Sequence, residues 1–142
     1  MTEVRFTVDP SALDYVQLRR ILPQEGNARP VVIRLELTGS GYLDYRSGRS
    51  VRVRDNFWQE EQSPDWQNLK TDHVVLSTEE TQAFYQRFVD AGLFDYRNSK
   101  KQVNSARAIT VFGCVGFKKK YILTDAPIYT ELFDDLLEKF SY

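Results

Sequence analysis

From Val31 to Leu37 apolar and polar residues alternate without a break. Val31, Ile33, Leu35 and Leu37 fall on one side of an extended chain, and Val32, Arg34 and Glu36 fall on the other. Gly39-Ser40-Gly41 can reverse the chain, which predicts a return strand from Tyr42 to Arg46. A second turn is expected at Ser47-Gly48, then a third strand from Arg49 to Arg54 with Val51 and Val53 facing inward. The pattern predicts a three-stranded meander.

Ahead of it, Val4, Phe6 and Val8 alternate with Arg5 and Thr7 in a short strand-like run that Asp9-Pro10 ends. Leu13, Val16, Leu18, Ile21 and Leu22 then approximate a helical stripe, so a helix is predicted from about Pro10 to Leu22, before Pro23, Gly26 and Pro30 break the chain. Asp55 to Asp72 shows no period and reads as a long connection holding Trp58, Glu60, Glu61, Pro64 and Trp66. Two tryptophans argue that it is packed on something, because each offers a large apolar area.

Val74 to Leu76 reads as a brief strand, and Ser77 with Glu80 has the spacing of a capping box. The helix it opens should run to about Ala91, burying Thr81, Phe84, Phe88 and Ala91, with Gln82, Gln86 and Asp90 outward and Gly92 as its stop. Ala106 to Phe112 and Phe117 to Leu123 are expected to form a hairpin around Gly113-Cys114-Val115-Gly116. Thr124-Asp125 should cap a last helix entered through Pro127, with a stripe of Ile128, Leu132, Leu136 and Phe140 flanked by Phe133 and Leu137.

Together these elements predict one α+β domain over residues 1–142: a mostly antiparallel sheet of five or six strands with two main helices packed on one face. Each half runs strand, glycine turn, strand and capped helix. That is compatible with a ββα duplication, but the halves share the pattern and not residues, so independent recurrence is the simpler account.

The helix start Leu76-Ser77-Thr78-Glu79-Glu80 and the helix end Ala91-Gly92-Leu93-Phe94, preceded by a Gly-Tyr hairpin at Gly41-Tyr42, give the chain a resemblance. It resembles small uncharacterised bacterial α+β domains over Val31 to Phe94. The resemblance implies a sheet with helices on one face and carries no activity or site residue.

Composition narrows the function classes. A hydrophobic share of 42% with 13% aromatic residues belongs to a chain that builds its own core. Nineteen basic against 20 acidic side chains give a net charge of -1, which argues against nucleic acid as the partner. No apolar run is long enough to span a membrane, Met1 to Pro10 lacks the apolar centre of a signal peptide, and Cys114 stands alone. A cytoplasmic protein is expected, with no disulfide, cofactor or metal.

Candidate chemistry is sparse. His73 is the single histidine, so a His-rich metal site is excluded, at most one imidazole is left for acid-base work, and a partly exposed structural role is expected for it. Gly39-Ser40-Gly41 lacks the third glycine of a dinucleotide fingerprint and leads into a strand, so it is a turn. Cys114 reads as a small packed residue rather than a reactive thiol, and Glu60-Glu61, Glu79-Glu80 and Asp134-Asp135 read as solvated charge.

What stands out is a basic bias on the polar side of the strands. If the helices cover Val31, Ile33, Leu35, Val51, Val53, Phe117, Tyr121 and Leu123, then Arg34, Arg52, Arg54, Lys118 and Lys120 face outward together. With Trp58 and Trp66 they form the candidate partner-binding set. The expectation is a non-enzymatic protein-interaction module whose partner is another protein, a second copy of itself included. The alternative is a small-molecule binder or enzyme with a pocket between the sheet and the Trp58 to Trp66 loop.

Overall fold

A computed structural model describes residues 10–22, 31–49, 67–95, 109–116 and 118–140. The described residues form six strands, β1 (Tyr15–Leu22), β2 (Val31–Thr38), β3 (Tyr42–Arg49), β4 (Gln67–Val75), β5 (Ile109–Val115) and β6 (Lys118–Thr124). Two helices accompany them, α1 (Thr78–Asp90) and α2 (Pro127–Glu138), with a short 3-10 turn at Leu93–Asp95. All strand pairs are antiparallel, in the order β4-β3-β2-β1-β5-β6, so the α+β expectation and the sheet type hold.

The register divides the sheet into two sides. Val16, Leu18, Ile33, Leu35, Leu37, Leu43, Ile109, Val111 and Ile122 share one side and one buried cluster with Phe84, Tyr85 and Phe88 of α1 and Tyr129, Leu132, Phe133 and Leu136 of α2. Tyr85 reaches across to donate its hydroxyl hydrogen to the Leu37 carbonyl at 2.6 Å. Burial, then the charges of Asp14, Glu36 and Cys114, raises that hydroxyl's pKa far above the ordinary tyrosine value.

Several sequence expectations are corrected. The segment predicted as a helix from Pro10 is in fact the central strand β1, whose Val16 and Leu18 are buried between β2 and β5. Its apolar spacing fits both periods over so short a stretch, and pairing with a strand on each side decides the matter. Ser47-Gly48 is not a turn: β3 runs through it, with a register irregularity against β4. Of the long connection, Gln67 to Asp72 belongs to β4, which extends the brief strand expected at Val74 to Leu76 into nine residues.

The hairpin turn also shifts. β5 continues through Gly113 and Cys114, and the reversal comes at Gly116, which has φ 58°. Gly113 serves a packing need instead, because a Cβ there would stand 2.7 Å from Leu93 Cδ2. The strand expected at Val4 to Val8 and the segment from Val51 to Arg54 lie outside the described residues.

Both helices are close to expectation, with local differences. Ser77 Oγ accepts from the Glu80 backbone N–H at 3.1 Å, and the Glu80 carboxylate accepts in return from Ser77, from its hydroxyl at 3.3 Å and from its backbone, as the capping box predicts. Gly92, at φ 84°, stops α1 as predicted. Gln82, Gln86 and Asp90 hydrogen-bond in sequence along the outer side of α1. In α2 the cap is not Thr124-Asp125: Thr124 Oγ1 accepts from Ala126 N at 3.1 Å, and Pro127 opens the helix without a side-chain cap. Tyr129 takes the buried place expected for Ile128, which is exposed.

Asp14 fastens three segments together: the start of β1, the β2–β3 turn and the β5–β6 turn. Its Oδ2 accepts from Ser11 N at 3.0 Å, its Oδ1 accepts from Gly116 N at 3.1 Å, and its carbonyl accepts from Gly39 N at 2.8 Å. The residue is buried, so these bonds replace the water it gives up.

Candidate interaction surface

The described members of the predicted basic set, Arg34, Lys118 and Lys120, do not share one side of the sheet. Arg34 does point to the side away from the core cluster, but it is only 6% exposed and pairs with Asp44 at 3.1 Å. It lies between Arg19 and Arg46 in the register, and Arg19, also buried, donates to Thr110 Oγ1 at 3.2 Å. Arginine is thus built into this side of the sheet as a hydrogen-bonding structural group, where an open docking face was expected. Arg52, Arg54, Trp58 and Trp66 lie outside the described residues.

Lys118 and Lys120 go to the other side from Arg34. Their partners in β5 are Val115 and Gly113, on the same side as the Val111–Ile122 pair. The sequence expectation had placed Tyr121 and Leu123 inward, but they are 43% and 40% exposed, whereas Ile122 and Thr124 are buried. The reason is that β6 carries apolar residues on both sides, and burial against Val111 in the core selects the side that holds Ile122.

On the side away from the core, Tyr15 stacks on Phe112 with centroids 5.5 Å apart, and Phe112 meets Tyr121 at 6.3 Å. Tyr42 stacks on His73 at 5.2 Å. His73 is exposed, where a partly exposed position was expected. Cys114 is half-buried in this layer, and burial leads Cys114 and Glu36 in raising the Tyr15 pKa.

The two outermost strands present different surfaces. β6 shows Lys118, Lys119 and Lys120 in succession, a run that repels another copy of itself. Along β4, Leu69, Lys70, Thr71, His73 and Val75 are all exposed, with Val75 at 73%, and Asp72 and Val74 are half-buried. No side chain described on it is fully buried, and no run of one charge marks it.

Beside β4, on the core side, a groove of about 550 Å³ is lined by Tyr45, Lys70, Asp72, Asp134, Leu137, Glu138 and Phe140. Tyr45 and Phe140 form its apolar floor, with ring centroids 5.4 Å apart. Asp134 also stands 3.8 Å from Arg20. The acidic pair expected to be plain solvated charge therefore joins elements, since Asp135 holds Arg87 of α1 at 2.7 Å. Lys139 binds Glu80 at 2.6 Å, and that hydrogen bond and charge hold the Glu80 carboxyl below its usual pKa.

Among the described residues no group of three His, Cys, Asp or Glu side chains is placed to hold a metal ion. No helix among them is long and apolar enough to cross a membrane. The β4 surface was missed because its residues, Gln-Asn-Leu-Lys-Thr-Asp-His-Val-Val, carry no period. No protein-family profile and no curated protein matches the chain, so neither supports the resemblance to bacterial α+β domains.

Proposed function

We propose that the protein is a non-enzymatic protein-interaction module that works through its β4 edge. The observation that carries this reading is a nine-residue outermost strand, exposed along most of its length and bordered by a groove with an aromatic floor. An edge strand offers backbone donors and acceptors to an incoming extended segment, and alternate side chains then meet the two sides of the sheet. The basic face expected from the sequence is set aside as the contact surface, because Arg34 is buried and Lys118 and Lys120 lie across the sheet from it.

The test is amide hydrogen exchange on the purified protein, alone and with the partner it captures. Slowed exchange confined to residues 67–75 is the expected outcome. Protection at β6, or none in the sheet, would refute the assignment.

A second reading is favoured by the groove itself. Its volume of about 550 Å³ falls within the roughly 300–1,000 Å³ of small-ligand sites. This is the small-molecule alternative with its pocket moved from the tryptophan loop to the space between β3, β4 and α2. Ligand-induced line broadening of the Tyr45 and Phe140 rings would separate it from strand docking.

A further inference from the structure

We infer that the partner of the β4 edge is a second copy of this chain, paired antiparallel across a two-fold axis through Thr71. The inference rests on the edge reading above and adds the identity of the occupant.

The sequence of β4 is self-complementary in charge about that point. An antiparallel pair centred on Thr71 sets residue 70 of one copy opposite residue 72 of the other, and the two-fold repeats the contact. Lys70 then faces Asp72 twice, on one side of the sheet. Directly opposed side chains in such a pair have Cβ atoms about 4.5–5.5 Å apart, close enough for ammonium and carboxylate to meet.

Neighbouring positions agree with this register. Leu69 comes opposite His73, both exposed, so apolar area is covered and no like charges are opposed. Lys70 and Asp72 also line the groove over Tyr45 and Phe140, so the grooves of two copies would meet at the axis. The β6 edge has no such option: centring an antiparallel pair on Lys119 sets lysine opposite lysine at residues 118, 119 and 120.

The test is mass in solution by light scattering and sedimentation across a concentration series. The full chain is compared with Lys70→Asp, Asp72→Lys and the double exchange. Wild type should reach twice the chain mass. Each single reversal sets like charges opposite each other twice and should weaken association by about tenfold or more. The double exchange should restore it, an outcome that a merely structural role for either residue would not give.

Thr71→Lys, which sets two ammonium groups on the axis, provides a second variant if a reversal disturbs the fold. A wild-type chain that stays monomeric at every concentration overturns the inference, and so does a dimer indifferent to all these changes. If a different protein then protects residues 67–75 from exchange, the edge reading stands and only the second copy falls. If neither a copy nor any partner protects β4, both fall.

Discussion

The two outer strands of this sheet are fastened in opposite ways. β6 is tied to the interior: Ile122 is fully buried against the core and Thr124 nearly so, and its free side is defended by three consecutive lysines. β4 buries no described side chain fully, carries one lysine and one aspartate two residues apart, and ends on a widely exposed Val75. An edge held by the core can spend its surface on repulsion. An edge with little burial of its own gains most from being covered, and this is the reason the proposed interaction surface is set at β4.

The largest test of that contrast is truncation on each strand. Ile122→Ala removes a fully buried side chain from the core and should cost about 2–5 kcal/mol in urea unfolding. Val74→Ala, at a half-buried position packed against the same cluster, should cost less than about 1.5 kcal/mol. Equal losses would erase the distinction between a fastened and an uncovered edge.

Next in size is Asp14→Ala, which strands the backbone N–H groups of Ser11 and of Gly116 at the turn into β6. It should cost about 0.5–1.5 kcal/mol, the net worth of hydrogen bonds lost at part-buried donors that water can still reach. The same measurement with the concentration series should show the β4 association intact at temperatures where the variant is folded.

The smallest effect is expected away from both edges, at Glu80. Its pKa is depressed in the folded protein, chiefly by the hydrogen bond from Lys139. The stabilisation is therefore fully present above the unfolded carboxyl's pKa and is lost as pH falls through the lower folded value. Stability curves of wild type and Glu80→Gln should differ at neutral pH and converge in acid, with association unchanged. A constant separation down to strongly acidic pH would show that the ion pair is not the source.

Legibility in the sequence followed burial. Val31 to Leu37 was read correctly because one side of β2 enters the core, and α1 was read correctly because Ser77, Phe84, Phe88 and Gly92 mark its start, stripe and stop. β1 was misread because a central strand flanked on both sides buries Arg19 as well as Leu18, which blurs the two-residue period. β4 was invisible because polarity does not follow its sides: Asp72 is half-buried beside Val74, whereas the apolar Val75 is exposed with Thr71 and His73. The lysines of β6 were assigned to the wrong side because Tyr121 and Leu123 look as apolar as Ile122, and only the partner Val111 distinguishes them.

The clasp made by Asp14 bears on the order in which the molecule assembles. Its bond to Gly116 joins residues 102 apart in sequence, while its bond to Ser11 spans only 3. Closing so long a loop is entropically costly until intervening strands have brought the ends together, so the distant bond belongs to the final stage of folding. Removing the carboxylate should then hasten unfolding while leaving the refolding rate nearly untouched, which makes this one side chain a latch on the finished sheet.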